Sequence, residues 1–177
     1  MHYLEGEAIN IEKIRMYERP DAIFRYSNGN LEVAKWYDRD NLLHRDGKPA
    51  LIKYALDGKR EFEFWYQHGE LHRTDGAARI YYHCDGSVIS ESWYQYGELH
   101  RRDAPAEIFY YPGGAVQEAA WYQHGKLHRE DAPALIAFYP NGKKRAEEWY
   151  RDGVHCRDGV PYLVTYDEDG NVMSSES

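Results

Sequence analysis

The stretch HGKLHREDAPALIAFYPNGKKRAEEWYRDG, residues 124–153, decides the fold because close copies of it occupy most of the chain. A Trp-Tyr pair marks each copy, and the tryptophans are Trp36, Trp65, Trp93, Trp121 and Trp149. Successive tryptophans are separated by 29 residues once and by 28 residues three times. A fixed period of about 20–50 residues is the signature of a repeat protein, in which each unit packs on its neighbours.

Each copy contains a four-residue stretch with the alternation of a half-buried β-strand. Its second residue is Ile52, Ile80, Ile108 or Ile136, and its fourth is Tyr54, Tyr82, Tyr110 or Phe138. Asp-Gly, Asn-Gly or Gly-Gly then supplies the positive φ of a hairpin turn, and a second strand leads to the Trp-Tyr pair. The sequence therefore predicts an all-β fold, an elongated antiparallel sheet of tandem β-hairpins of about 28 residues, with these columns as its core.

The repeat pattern divides the chain into three parts. Residues 1–19 precede the pattern and are predicted to form an N-terminal strand or cap, residues 20–170 the tandem β-hairpin domain, and residues 171–177 a flexible tail. We count five clear hairpins and a sixth that is cut short. A lone two-stranded hairpin is marginal in water, so each hairpin must bury its apolar face against the next.

The charge balance limits the partners. The formal net charge is −8, from 30 acidic and 22 basic residues, and both signs recur in every repeat. Binding to nucleic acid needs a basic stripe, so we expect no nucleic-acid partner. The N-terminal sequence lacks a signal-like or membrane-spanning apolar run, and Cys84 and Cys156 fall at non-equivalent positions. We therefore expect no membrane association and a cytoplasmic location.

The two faces of the predicted sheet differ in how strictly they repeat. Trp and the following Tyr point to opposite faces because side chains alternate along a strand. The tryptophan column is interleaved with Ala34, Glu63, Glu91, Ala119 and Glu147, whereas the other face carries Phe64, Ser92, Ala120 and Glu148. A variable face is a candidate for specific contact. The alternative is that connections cover both faces and neither has a binding role.

A polar motif, Leu-His-Arg, recurs between the hairpins. It places His44, His72, His100 and His128 beside Arg45, Arg73, Arg101 and Arg129, with an aspartate shortly after each. Equivalent positions in adjacent hairpins lie about 9–10 Å apart, whereas ligands of one zinc ion each lie about 2 Å from it, so we expect no metal and no cofactor. Catalytic sites are singular, so the repetition predicts no catalytic residues. We expect His and Arg to donate hydrogen bonds to carbonyls of the connections, and Asp to accept from turn amides.

The segment FYPNGKKRAEEWYRDG, residues 138–153, resembles the variant MORN repeats found in the antitoxin component of some bacterial toxin–antitoxin modules. The segment LHREDAPA, residues 127–134, is similar to repeats in proteins of phages and large DNA viruses. The resemblance covers about residues 20–170. It implies a twisted sheet of hairpins that binds partners in a bacterium or a virus-infected cell. The period exceeds the MORN unit of about 23 residues, and the family's second internal glycine is missing.

Three functions remain open at the level of sequence. The first is a non-enzymatic module that binds a protein, as an antitoxin or an inhibitor of a host defence protein would, through the non-repeating residues Phe62, Phe64, Tyr96 and Phe109. The second is a sponge for an anionic small molecule or nucleotide, held by Arg45, Arg73, Arg101 and Arg129. The third is a structural spacer or oligomer scaffold joined through the unpaired sheet edges. We leave the oligomeric state open.

Overall fold

The computed structural model describes residues 19–156 and 161–176, so nearly all of the predicted N-terminal segment lies outside the described residues. The described residues form twenty β-strands and no helix, which confirms the all-β prediction. In chain order the strands are β1 Ala22–Arg25, β2 Leu31–Lys35, β3 Leu51–Tyr54, β4 Arg60–Phe64, β5 Tyr66–Gln67, β6 Glu70–Leu71, β7 Arg79–Tyr82, β8 Val88–Ser92, β9 Tyr94–Gln95, β10 Glu98–Leu99, β11 Glu107–Tyr110, β12 Val116–Ala120, β13 Tyr122–Gln123, β14 Lys126–Leu127, β15 Leu135–Phe138, β16 Lys144–Glu148, β17 Tyr150–Arg151, β18 Val154–His155, β19 Leu163–Tyr166 and β20 Val172–Glu176.

Twelve of these strands form one antiparallel sheet whose spatial order follows the chain: β1-β2-β3-β4-β7-β8-β11-β12-β15-β16-β19-β20. It is an open sheet of consecutive hairpins with β1 and β20 as its edges in the described part of the chain. The hairpins share one turn geometry. In β15–β16, for example, the register shifts after Ala137, and Gly142 adopts a φ of 82°. Glycine reaches this left-handed conformation without the steric penalty of a side chain.

The last hairpin is complete. Val172–Glu176 lies within the predicted flexible tail, but it forms β20 and pairs along its length with β19. The turn before it closes because Gly170 has a φ of 93° and Asp167 accepts hydrogen bonds from the Asn171 amide and side chain. The sheet therefore contains six hairpins.

One face of the sheet, which we call the repeat face, holds the predicted core columns in register. Ile52 pairs with Ala34 and Glu63, and the row continues strand by strand through Ile80, Glu91, Ile108, Ala119, Ile136, Glu147 and Val164. Trp36 and Trp65 are buried, whereas Trp93, Trp121 and Trp149 are half-buried. Connections between hairpins pack on this face so closely that Ala50, Ala78, Ala106 and Ala134 are fully buried.

The glutamate carboxylates on the repeat face accept hydrogen bonds from tyrosine hydroxyls of the next hairpin. The hydroxyl of Tyr82 donates to Glu63 at 2.7 Å and that of Tyr110 to Glu91 at 2.8 Å. Tyr166 makes the same bond to Glu147 at 2.6 Å. Burial, and next the bond to Glu91, raise the pKa of Tyr110 to about 12. These bonds explain how glutamates are accommodated beside the tryptophans, since a buried carboxylate needs partners.

The fourth copy lacks both members of this pair. Phe138 stands at the tyrosine position and Ala119 at the glutamate position. The hydroxyl and the carboxylate are thus lost together, so neither polar group is left unpaired. A buried donor or acceptor without its partner is costly, whereas replacing both by apolar groups can be nearly neutral.

Candidate protein-binding face

The opposite side of the sheet, which we call the variable face, changes from copy to copy. Its first row runs in register through Val33, Lys53, Phe62, Tyr81, Ser90, Phe109, Glu118, Ala137, Ala146 and Thr165. Its second row runs through Lys35, Leu51, Phe64, Arg79, Ser92, Glu107, Ala120, Leu135, Glu148 and Leu163. These rows carry aromatic, cationic, anionic and small side chains without a repeat.

The N-terminal half of the variable face carries an aromatic patch formed by Phe62, Phe64 and Tyr81. The two phenylalanine rings stack with centroids 4.6 Å apart, and Tyr81 meets them edge-on at 5.7 and 5.4 Å. All three side chains are half-buried. The structure therefore brings together two of the residues predicted to contact a partner. Phe109 lies in the same row as Phe62, three strands further along the sheet.

The C-terminal half of the variable face contains a shallow depression of about 390 Å³. Its lining includes Ala137, Ala146, Glu118, Glu148 and Thr165. Burial, and next the negative charge of Glu107, raise the pKa of Glu118. The depression is a feature that we did not predict. No sequence pattern signals it, because its shape depends on the space that the neighbouring side chains leave open.

A polar network joins the two halves of the variable face. The Arg79 guanidinium donates to Glu107 at 3.0 Å, and the Ser92 hydroxyl donates to the same carboxylate oxygen at 3.1 Å. Ser92 is fully buried between them. The network crosses three neighbouring strands, β7, β8 and β11, between the aromatic patch and the depression.

Tyr96 lies apart from the variable face, in the two-residue turn between β9 and β10. Its side chain is 74% exposed, and its φ is 49°, in the left-handed region. A large side chain in this conformation is strained by about 1 kcal/mol or more, and such positions concentrate at functional sites. The ring lies 4.7 Å from that of His72. Tyr96 thus remains a candidate contact, at a different surface from the phenylalanines.

The four repeated arginines are engaged within the repeats. Each guanidinium lies over the tryptophan of its own copy: Arg45 over Trp36 at 3.8 Å, Arg73 over Trp65 at 4.1 Å, Arg101 over Trp93 at 3.9 Å and Arg129 over Trp121 at 4.0 Å. Each Nη1 also donates to a carbonyl four residues later, those of Pro49, Ala77, Pro105 and Pro133. Stacking and hydrogen bonding together close each connection over its tryptophan.

The repeated histidines join one copy to the next. The Nδ1 atoms of His44, His72, His100 and His128 accept hydrogen bonds from the amides of His68, Tyr96, His124 and Asp152 at 3.2–3.3 Å. Each donor is the first residue of a short turn and has a positive φ. The imidazole thus supports a strained turn of the following copy. The prediction that histidine donates to a carbonyl of the connection is wrong for these Nδ1 atoms, because the turn that covers each ring presents an amide.

The aspartates after the motif also differ from the prediction. Asp75 accepts from the Arg73 guanidinium at 2.8 Å, and this bond lowers the pKa of Asp75. Asp46 lies 3.4 Å from His44. These aspartates pair with side chains of their own motif, where we had expected bonds to turn amides. A displaced fifth version of the motif, with His155 and Arg157 separated by Cys156, extends to Arg157, which lies outside the described residues.

Acidification should weaken the fold through His100. Burial, and next the positive charges of His124 and Arg102, lower the pKa of His100. The folded chain then binds fewer protons than the unfolded chain below about pH 6.5, so stability falls as the pH drops from there through the folded-state pKa. We expect the urea midpoint to fall between pH 7.5 and pH 5.5, and the fall to be smaller for His100→Gln, which can still accept the hydrogen bond. An equal fall in both proteins would contradict this role of His100.

No helix that could cross a membrane occurs among residues 19–156 and 161–176. No protein-family model matches the sequence, and comparison with the curated proteins gives no match. The architecture itself defines the class: this chain is a tandem β-hairpin repeat protein with one uniform face and one variable face.

Proposed function

We propose that this chain is a non-enzymatic, MORN-like binding module that holds another protein on its variable face. The observation that carries the proposal is the contrast between the two faces. The repeat face is covered by connections and has the same columns in nearly every copy. The variable face combines the aromatic patch with a depression lined by Glu118, Glu148 and Arg145, and neither of these features recurs along the array.

The chemistry of the variable face favours a protein partner with apolar and basic side chains. Aromatic side chains are enriched at protein interfaces because they bury a large area at a small entropic cost. Phe62, Phe64 and Phe109 offer such area. The lining of the depression carries two carboxylates, Glu118 and Glu148, and one cation, Arg145, so a lysine or arginine entering it would gain electrostatic energy from the net negative charge.

The sponge alternative receives less support from the geometry. An anion bound by the repeated arginines would compete with the tryptophan faces and the carbonyls that these guanidinium groups already contact. The repetition of every candidate acid and base likewise favours a non-enzymatic role. The spacer alternative depends on the sheet edges, and a single chain gives no reason to prefer it.

The resemblance to variant MORN repeats supports a narrower form of the proposal. Antitoxins and viral inhibitors act by occupying one protein stoichiometrically. We propose that this chain blocks its partner in that way, in the cytoplasm of a bacterium or a virus-infected cell. The contact area would be the standard 800 Å² or so per partner, which a face of twelve strands can supply.

Affinity capture with matched variants tests the proposal. The tagged chain should retain one dominant, roughly stoichiometric protein from lysate of the cell in which it acts. Phe62→Ser/Phe64→Ser should lose that protein, whereas Leu56→Ser, at an exposed turn outside both rows, should retain it. Retention by all three proteins would contradict binding at the aromatic patch. Release of a nucleotide on heating, with no captured protein, would support the sponge.

The role of Tyr96 can be tested separately with Tyr96→Asn. Asparagine tolerates a positive φ, so the free energy of unfolding should stay within about 0.5 kcal/mol or rise. Partner affinity should fall if Tyr96 is a contact. His124→Asn is the matched control, because His124 occupies the same turn position with the same φ of 49°. Equal losses of affinity in both variants, or no loss in either, would exclude Tyr96 as a specific contact.

A further inference from the structure

Three side chains with metal-binding atoms converge at the first connection of the array. Asp38, His44 and His68 each place one potential ligand atom within 4.8 Å of those of the other two. Asp38 Oδ2 lies 2.8 Å from His68 Nδ1, and the two imidazole rings lie 4.4 Å apart between centroids. Two imidazoles and one carboxylate are a common ligand set for zinc and related ions.

The repeat geometry explains why this arrangement differs from the prediction of no metal site. Equivalent residues of neighbouring copies are two strands apart and cannot share an ion. His44 and His68 are not equivalent: His44 lies in the Leu-His-Arg motif of one copy, and His68 lies in the short β5–β6 turn of the next. That turn rests on the preceding connection, as the bond from the His68 amide to His44 shows.

The cluster is unique among the described connections because of Asp38. The spacing of 29 residues between Trp36 and Trp65 reflects a longer connection here than elsewhere. Asp38 stands two residues after Trp36, and the corresponding residues of the later copies are Gln67, Gln95, Gln123 and Arg151. The later pair of His100 and His124 has nearly the same ring contact, at 4.7 Å, but Gln95 takes the place of the carboxylate.

The local bonds hold Asp38 in a suitable state and orientation. Its Oδ1 atom accepts from the amides of Asp40 and Leu42, both at 3.0 Å, so Oδ2 faces His68. The backbone bond from Leu42, and next the bond from His68, favour the charged carboxylate and lower the pKa of Asp38. Its side chain is 11% exposed, whereas that of His68 is 71% exposed.

We propose that Asp38, His44 and His68 bind one divalent transition-metal ion of the zinc class. Ligand atoms of a tetrahedral ion with bonds of about 2 Å lie about 3.3 Å apart, so the widest separation in the cluster, within 4.8 Å, must contract by up to about 1.5 Å. Rotation of the exposed His68 ring supplies that movement. Water or Asp46, which lies 3.4 Å from His44 Nε2 and is 93% exposed, provides a fourth ligand.

Coordination of the ion would link the first connection to the second repeat. Asp38 and His44 belong to the connection between β2 and β3, and His68 belongs to the turn between β5 and β6. Terminal units of a repeat array have a neighbour on one side and need additional stabilisation. This inference concerns the N-terminal end of the described array and does not depend on the proposed binding face.

Zinc titration of the chelator-treated chain tests the site. We expect one equivalent of Zn²⁺ to bind with micromolar or lower Kd by calorimetry, and Tm to rise by about 5 °C or more at 100-fold excess over Kd. Co²⁺ should give the visible absorption of a four-coordinate nitrogen and oxygen site. Asp38→Asn and His68→Gln should each weaken Zn²⁺ binding at least tenfold.

His124→Gln is the matched control, since it alters the same turn position in a copy where Gln95 replaces Asp38 and the nearest carboxylate, that of Glu98, lies 3.7 Å from His124. It should leave the Zn²⁺ stoichiometry and affinity unchanged. Asp38→Asn keeps an acceptor for the two backbone amides, and the zinc-dependent change in Tm is measured against each variant's own metal-free Tm. Millimolar binding alone, or equal weakening by His124→Gln, would overturn the proposal in favour of scattered surface histidines.

Discussion

Replacement of Trp65 by alanine is expected to lower the free energy of unfolding by about 3–5 kcal/mol, as for other large aromatic residues removed from a core. Trp65 is 9% exposed and packs in a cluster with Ala77, Ala78 and Ile80. Its ring also supports the Arg73 guanidinium at 4.1 Å. The variant therefore loses both the buried apolar surface of the ring and the stacking of Arg73 that holds one connection over the repeat face. Urea denaturation followed by circular dichroism measures the change.

Two comparisons make the result for Trp65 informative. Arg73→Gln keeps the tryptophan and removes only the stacked charge. It should lower the free energy of unfolding by about 0.5–2 kcal/mol, the range for a cation–π contact, and therefore by less than Trp65→Ala does. If Trp65→Ala instead left stability within 1 kcal/mol or so and abolished partner binding, the repeat face would be the binding face. The assignment of the two faces would then be reversed.

Tyr110→Phe is expected to cost about 1.5–3 kcal/mol, the range for a hydrogen bond to a charged group. The Tyr110 hydroxyl donates to Glu91 at 2.8 Å. Arg60 forms an ion pair with Glu63, and Lys144 forms one with Glu147, three residues along the strand in each case. The residue three positions before Glu91 is Val88, which cannot form an ion pair. The stabilisation of Glu91 therefore depends more on the hydrogen bond from Tyr110.

The double variant Glu91→Ala/Tyr110→Phe should recover most of the lost stability. It reproduces the pair of Ala119 and Phe138 that the fourth copy already contains. The coupling between the two changes should lie at about 0.5–3 kcal/mol, the range for residues in contact. Urea denaturation of the four proteins of the cycle provides the measurement. Additive losses would show that the hydroxyl and the carboxylate do not stabilise each other.

The hairpins were predictable because their signals are local. Positive-φ glycines such as Gly58 and Gly142 mark the turns, and the alternation of Ile52 with Tyr54 marks a strand with one buried side. The constant period then requires each hairpin to pair with the next. Strand β20 was harder to identify, because its sequence, Val-Met-Ser-Ser-Glu, has an apolar beginning but no inward-facing aromatic residue.

The inter-repeat contacts were not predictable from the same signals. The hydrogen bond from the Tyr96 amide to His72 joins residues 24 positions apart. The repeat length alone does not predict that these two residues are in contact. The contact depends on the position of each short turn relative to the preceding connection. Sheet twist and side-chain volume determine that position. The contact of His68 Nδ1 with the Asp38 carboxylate, at 2.8 Å, escaped prediction for the same reason.

The variable face was predictable in position but not in shape. Alternation along the strands placed Phe64 and Glu148 opposite the tryptophans, as the register shows. That Phe62 and Phe64 stack on each other depends on their rotamers. The depression over Ala137 and Ala146 depends on what the neighbouring side chains leave open, which no sequence pattern specifies.

Hydroxyl-radical footprinting of the chain, alone and bound to its captured partner, tests the central claim most directly because it reports on individual side chains. The account predicts that Phe62, Phe64 and Phe109 become protected in the complex, while the oxidation of Trp93 and Trp121 on the repeat face is unchanged. Protection of the tryptophan column with no change at the three phenylalanines would contradict the account and place the partner on the repeat face.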